Sequence, residues 1–325
     1  MTGGNRLLGM ECRVLGLLKK SANAKGRVGL AFGSNEIAVA VMRRDGGSSV
    51  LERCELLPFD AARGADAVPA ALRAAGLPRM PVSTVLRPED YQLALIEAPD
   101  VPPAELRAAM RWRLKDSIDF RVEDAVIDLF AVPEQNRGNH GRMMYAVAAR
   151  RSAIDRYSTA LAAVPAFDVV DVPELCLRNL AALLPAAAAG VALLYLGETT
   201  ATIVLVRGTT FYFARQMNLQ PAPLAAAPGA AGARVDAASV VLELQRSLDY
   251  YERHFDQPPI TRIAVSPAGA RATELAQDLG QETGFEVASL DINVLLSCAT
   301  PIEPAAQAAC LLAVGAALRE EHRSL

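Results

Sequence analysis

Residues 27–57, RVGLAFGSNEIAVAVMRRDGGSSVLERCELL, and residues 191–217, VALLYLGETTATIVLVRGTTFYFARQM, decide the fold. In the first stretch 27–32 reads as an apolar strand, Gly33-Ser34-Asn35-Glu36 as a turn and 37–43 as a second strand. Asp45-Gly46-Gly47 then signals a hairpin, and 50–57 a third strand. In the second stretch 191–196 is an apolar strand, Gly197-Glu198-Thr199-Thr200 a turn, 201–207 a strand, Gly208 a turn and 209–217 another strand. The two turn glycines, Gly33 and Gly197, stand 164 positions apart. Two copies of one unit, each followed by helical sequence, predict two related lobes. The competing reading is that two β-meanders, a common arrangement, occur here independently.

Between the meanders lies an extra block, 81–168. Pro102-Pro103 opens a helix on which Leu106, Met110, Leu114 and Ile118 recur every four residues as an apolar face. Arg107, Arg111, Arg113 and Lys115 fill much of its remaining surface and read as a solvated face, with acidic partners or lipid as the alternative. Strands at 126–132 and 143–148, joined by a polar loop, and a helix over 152–163 complete a small α+β subdomain. After the second meander, 220–234 is a Pro/Ala/Gly loop. A helix follows, capped by Asp236, with Val240, Leu244, Leu248, Tyr251 and Phe255 as its apolar stripe. A strand at 262–265, a helix over 273–279 and a closing helix over 304–321 end the chain. The predicted organisation is a tail or amphipathic helix at 1–26 and a first lobe at 27–80, rejoined by 169–185 and 304–321. The insertion at 81–168 and a second lobe at 186–303 account for the rest.

Composition narrows the function. The 325 residues are 52% hydrophobic, enough for sizeable cores, and the net charge of -3 argues against a nucleic-acid partner. Cys12, Cys54, Cys176, Cys298 and Cys310 are scattered without a CxxC pair, which suits buried thiols in a reducing compartment. His140, His254 and His322 are far apart, and HExxH, GxSxG and Walker A motifs are absent. The uncharged run 180–197 is interrupted by Pro185 and Gly190 and reads as a helix end, a turn and a strand rather than a membrane span. Glu11 and Arg13 break any secretory apolar core near the start, so the expected location is cytoplasmic.

Three stretches carry a family resemblance: ELRAAMRWRLKDSIDFRVEDAVIDLF (105–130), AVAARRSAIDRYSTAL (146–161) and LELQRSLDYYERHFDQPPITRIAVS (242–266). With the two meanders they resemble the PilM family of type IV pilus assembly proteins, and within it the MshI-type branch of mannose-sensitive haemagglutinin (MSHA) pili. The resemblance spans about 27–318. It implies an α/β, bilobal actin-like ATPase fold with a subdomain inserted in the first lobe. It also implies a partner, the cytoplasmic N-terminal peptide of a single-span PilN-like (MshJ-like) inner-membrane protein, held in a groove between the first lobe and the insertion. A pilus motor ATPase is a further implied contact, and membrane association would run through such partners.

The same resemblance implies a nucleotide site made of two turns and a glycine triplet, with an Asp two positions before each turn glycine. Those two positions are Ala31 and Tyr195, neither of which can hold Mg²⁺ or act as a base. The triplet position is Ser266-Pro267-Ala268-Gly269-Ala270, with one glycine of three, and Pro267 removes a backbone donor. Gly33, Ser34, Gly197, Thr199, Thr200 and Gly269 remain as remnant nucleotide-turn groups, though β-turns favour Gly, Ser and Thr in any case. Glu36 and Glu198 sit inside the turns, where they would substitute for the lost carboxylates or repel phosphate. The expectation is a scaffold without catalysis, cofactor or metal. An ATP–Mg-gated switch is the alternative, and a small-molecule kinase of this fold the third class.

Overall fold

The structure, a computed structural model, describes residues 26–45, 48–133, 142–164, 166–197, 200–218, 237–266 and 270–320. The expectations for 1–25, the whole 220–234 loop, the Asp236 cap, Glu198, Thr199, Pro267, Ala268 and Gly269 lie outside the described residues.

The first meander is β1 (Gly26–Phe32), β2 (Glu36–Asp45) and β3 (Ser48–Pro58). A helix, α1 (Ala67–Ala75), carries the chain over to β4 (Val82–Val85), which lies parallel to β1. The chain then leaves for an excursion: β5 (Tyr91–Glu97), α2 (Pro103–Leu114), β6 (Ala125–Ala131), β7 (Met143–Arg150) and α3 (Arg151–Ala160). It returns as β8 (Phe167–Asp171) and α4 (Pro173–Ala181). The second meander is β9 (Val191–Leu196), β10 (Thr200–Arg207) and β11 (Thr210–Asn218). There follow α5 (Ala237–His254), β12 (Arg262–Ser266), α6 (Ala270–Thr283), β13 (Glu286–Ser289), α7 (Ile292–Leu295), β14 (Ser297–Cys298) and α8 (Pro304–Ala317).

The two large sheets are built alike. One runs β14-β3-β2-β1-β4-β8, the other β11-β10-β9-β12-β13. Register repeats as well as order. Phe32 faces Ile37 across the first hairpin, and Leu196 faces Ala201 across the second, each 164 positions later. Ala31 pairs with Val85 on the parallel side, as Tyr195 does with Ser266. Independent meanders have no reason to share both their parallel neighbours and their register, so the echo in the sequence is a duplicated lobe.

Three expectations are corrected here. Val82–Val85 belongs to the first sheet, so the insertion begins after it rather than at 81, and the first sheet recovers 167–171 as well. Ser297–Cys298 pairs with β3, which returns part of the 186–303 segment to the first lobe. The insertion has three strands in the order β5-β7-β6, not one pair. Its sheet is covered on both faces. Leu93, Leu95, Tyr145 and Val147 join the large interlobe core, while Ala94, Ile96, Met144 and Ala146 pack under Met110 and Leu114 of α2. A strand that packs apolar side chains through both faces loses the polar alternation that marks a one-sided one, so 91–97 does not announce itself.

The basic face of α2 is also more than solvated. Arg107 pairs with buried Asp128 at 2.9 Å, Arg113 donates to the Glu97 carbonyl at 3.0 Å, and Arg111 donates to the carbonyls of Val122 and Ala125. These guanidinium groups tie the helix to the edges of its own sheet.

Helices α4 and α8 lie between the lobes. Helix α8 crosses β1 to β4 of the first sheet, α4 covers β9 and β10 of the second, and the two pack on each other. Small residues let them close. A Cβ on Gly29 of β1 would stand 1.9 Å from the Ala313 carbonyl oxygen of α8, and one on Gly315 would stand 2.5 Å from that of Cys176 on α4. The apolar stripe read in the sequence, Val240, Leu244, Leu248, Tyr251 and Phe255, is buried as expected. Among the described residues no helix is long and apolar enough to cross a membrane.

Candidate functional site

The two turns sit at corresponding ends of the two sheets. In each, the glycine amide closes the loop: Gly33 N–H donates to the Glu36 carbonyl and Gly197 N–H to the Thr200 carbonyl, both at 2.8 Å. A Cβ at Gly197 would come within 2.8 Å of the Thr200 oxygen, so glycine is what lets that turn close tightly. The donor a phosphate would use at each glycine is therefore already engaged within the turn. Ser34 and Glu36 are exposed, and Thr200 is half-buried. Of the predicted turn residues, the structure places Gly33 and Gly197 in equivalent positions on the two lobes, while Thr200 corresponds to Glu36 rather than to Ser34.

Just inside the turns, Ala31 and Tyr195 are both half-buried and both packed on the interlobe core. The Tyr195 ring lies 3.4 Å from where a Gly197 Cβ would be, so an aromatic edge fills the space beside the second turn. Beside Tyr195, Ser266 is fully buried and its Oγ has no hydrogen-bond partner among the described residues.

A carboxylate does occur at this level of the first sheet, and sequence reading missed it. Asp171 ends β8 in register with Val85, itself in register with Ala31. It is fully buried, accepts from the Val172 amide at 2.9 Å and is paired with Arg319 at 2.5 Å. Burial works against the Arg319 charge, but Asp171 outweighs it and holds the guanidinium above its usual pKa. The two charges stand 148 positions apart among other charged residues, so the sequence gives no signal for the pair. With alanine and tyrosine at the two positions where the resemblance implies carboxylates, both glycine amides engaged and Asp171 tied to Arg319, the described residues do not fit a magnesium–nucleotide complex.

The insertion meets every other part of the body. Tyr157 of α3 stacks edge-on against Phe32, and its hydroxyl donates to Asp90 and accepts from the Arg87 amide, each at 3.1 Å. Burial, reinforced by the Asp90 charge, raises the Tyr157 pKa, which keeps it a neutral donor. Phe130 and Tyr145 pack with Phe211 of β11, ring centroids 5.2 to 5.5 Å apart. The Tyr145 hydroxyl accepts from the Ala214 amide at 3.0 Å, satisfying an outward N–H of an edge strand. Thus the insertion, carried by the first lobe, clasps the second.

Tyr91 of β5 donates to Glu174 of α4 at 2.7 Å, and both groups are buried. Burial raises the Glu174 pKa above the ordinary carboxylate value, with the Tyr91 hydrogen bond only partly opposing it. The folded state therefore holds this proton more tightly than the unfolded chain. Its contribution is fully present below the unfolded pKa and is lost as pH rises through the folded value. Glu174→Gln keeps an acceptor for Tyr91 without the charge. The expected result, read by thermal melts, is a smaller loss of Tm between pH 5 and pH 8 in the variant than in the parent.

No family model matches the sequence, and no curated protein matches it either. Among solved structures the chain is similar to one described as the PilM-PilN type IV pilus biogenesis complex. The TM-score is 0.65 at 20% identity, covering 90% of this chain and 98% of that one. The fold is actin-like. A Bacteroides thetaiotaomicron protein described as having an actin-like ATPase fold and unknown function is similar at TM-score 0.49 and 8% identity, covering 86% of this chain and 96% of that one. The cytoplasmic domain of EpsL, an inner membrane component of the type II secretion system of Vibrio cholerae, is similar at TM-score 0.44 and 17% identity, covering 80% and 96%.

Proposed function

We propose that this chain is an assembly component of a type IV pilus machine of the MSHA kind, acting as a scaffold rather than as an ATPase. It would work at the cytoplasmic face of the bacterial inner membrane and hold the cytoplasmic N-terminal peptide of a PilN-like protein, MshJ-like in that system. The observation that carries this reading is the likeness to the chain of the PilM-PilN complex, which takes in 98% of that chain, lobes and insertion together. An extended peptide in a groove is a binding mode that needs a rigid frame rather than chemistry. The frame is present in the clasp of Tyr145 on β11 and the seam of Tyr157 on Phe32. The absence of catalysis is argued from Ala31, Tyr195 and the engaged amides of Gly33 and Gly197.

The test is a pull-down of the purified chain against the cytoplasmic tails of the single-span pilus proteins encoded beside it, with and without ATP. The expected outcome is capture of a PilN-like tail that ignores ATP. Capture of none of them would overturn the scaffold.

One observation favours a second reading, an ATP-gated switch in the same machine: the unpartnered, buried Ser266 Oγ at the end of β12. Titration with labelled ATP separates the two. Micromolar affinity that depends on Mg²⁺ supports the switch, and its absence supports the scaffold.

A further inference from the structure

Four cysteines are described, and three of them gather on one flank of the first lobe. Cys54 is on β3, Cys298 is on β14, which pairs with β3, and Cys310 is on α8, which crosses β3. Cys310 Sγ lies 3.6 Å from the carbonyl oxygen of Glu55, the residue next to Cys54, which places the two thiols side by side at the seam of β3 and α8. Cys54 is half-buried and lines a shallow pocket of about 140 Å³, shared with Leu51, Glu52, Pro301, Ile302 and Ala306, while Cys310 is buried behind it. That volume admits a molecule the size of a peroxide. Cys176, by contrast, is on α4 and fully buried against Val85 and Ala316.

We propose that Cys54 is an oxidant-reactive thiol, taking small hydroperoxides from the pocket, and that Cys310 resolves it to a disulfide joining β3 to α8. With hydrogen peroxide, the Cys54 sulfur attacks one peroxide oxygen. An S–O bond forms, the O–O bond breaks, and the released oxygen takes up the Cys54 proton and leaves as water (an organic hydroperoxide would release its alcohol). The Cys310 sulfur then attacks the sulfenyl sulfur, the S–S bond forms, and the S–O oxygen leaves as the second water with the Cys310 proton. The two thiols supply the two electrons that reduce the peroxide. The pair is polarised for this order: the neighbouring Cys310 thiol lowers the Cys54 pKa, while Cys310 is raised by Cys54 and by burial. Because α8 lies over the first sheet and against α4, the crosslink would fix the interlobe helix to β3. This inference is independent of the pilus reading.

The experiment treats the full folded chain with hydrogen peroxide, alkylates the remaining thiols and maps peptides without reduction. The expected result is a linked pair of peptides carrying Cys54 and Cys310, dissolved by dithiothreitol. Cys54 should be lost about ten-fold or more faster than buried Cys176. In Cys310→Ala, Cys54 should instead accumulate as a sulfenic acid trapped by dimedone, and in Cys54→Ser, Cys310 should stay reduced. A Cys54–Cys298 link in place of the Cys54–Cys310 link, or Cys54 and Cys176 oxidised at equal rates, would overturn the proposal.

Discussion

Replacing Gly29 with valine should remove the folded protein from the soluble fraction, an effect of about 4 kcal/mol or more. Gly29 sits mid-way along β1, at an ordinary backbone conformation, so the loss is not one of φ but of space. Its missing side chain is where α8 rests. A Cβ would lie 1.9 Å from the Ala313 oxygen and 2.7 Å from the Ala317 nitrogen, both backbone atoms that no rotamer change can move. Relief requires lifting α8, which also packs on β2, β3, β4 and α4 and so joins both lobes. A natural domain holds only about 5–15 kcal/mol in reserve. Gly280 in α6 is the control of opposite sign. A Cβ there meets Phe285 and Val287 at 3.8 Å, ordinary contact, and Gly280→Ala should raise stability by roughly 0.5–1 kcal/mol through helix propensity alone. Soluble yield and denaturant midpoints of the two variants check both. A Gly29→Val chain that melts like its parent would mean that α8 does not seat on β1 as described.

That contrast shows what the sequence can and cannot say. The meanders were legible because turn chemistry and apolar runs are local, and because a duplication repeats them at a fixed offset. The stripe on α5 was legible because its period is set by the helix itself. What escaped depends on residues far apart in the chain. Val82–Val85, with Ser83 and Thr84 at its centre, shows no apolar run and stands out only once its parallel partner β1 is known, and Tyr91–Glu97 packs through both faces while staying half-buried. Gly29 reads as a weak point in a strand, and only the helix lying on it explains why no larger residue fits. At the candidate site, the positions of Gly33 and Gly197 were legible, but not that their amides are used inside the turns. Tyr145 carries nothing in sequence to suggest that it caps an edge strand of the other lobe.

The clasp and the crossing helices act on the same degree of freedom. A nucleotide-gated body opens and closes by moving one lobe against the other. Here the insertion is pinned to β11 by three aromatic rings and a hydrogen bond, and α8 is seated on β1 without intervening side-chain atoms. Opening would break those contacts together. A body so braced suits a partner that recognises a fixed surface better than a ligand that drives a hinge.

The charged pair at the floor between the lobes gives the second large effect. Arg319→Met should destabilise the chain by about 3 kcal/mol, because Asp171 is fully buried and would keep only the Val172 amide and the nearby Arg178 charge to hold it. Asp171→Leu alone should cost a similar amount by stranding the guanidinium, whose side chain is 12% exposed. The double variant, Asp171→Leu with Arg319→Met, should recover part of the loss, since it removes the buried ion pair and leaves Arg178 of α4 as the one charge that Asp171 had steadied. The Arg319 Nε has no partner among the described residues, so the native pair is itself imperfectly satisfied and leaves room for that recovery. A thermodynamic cycle from urea midpoints reads the coupling directly. Coupling near zero would mean that the pair does not hold the floor. Strong coupling would mean that the Asp171 carboxylate binds Arg319, just past the C-terminal end of α8. A carboxylate so engaged is not free to organise the water that phosphoryl transfer requires.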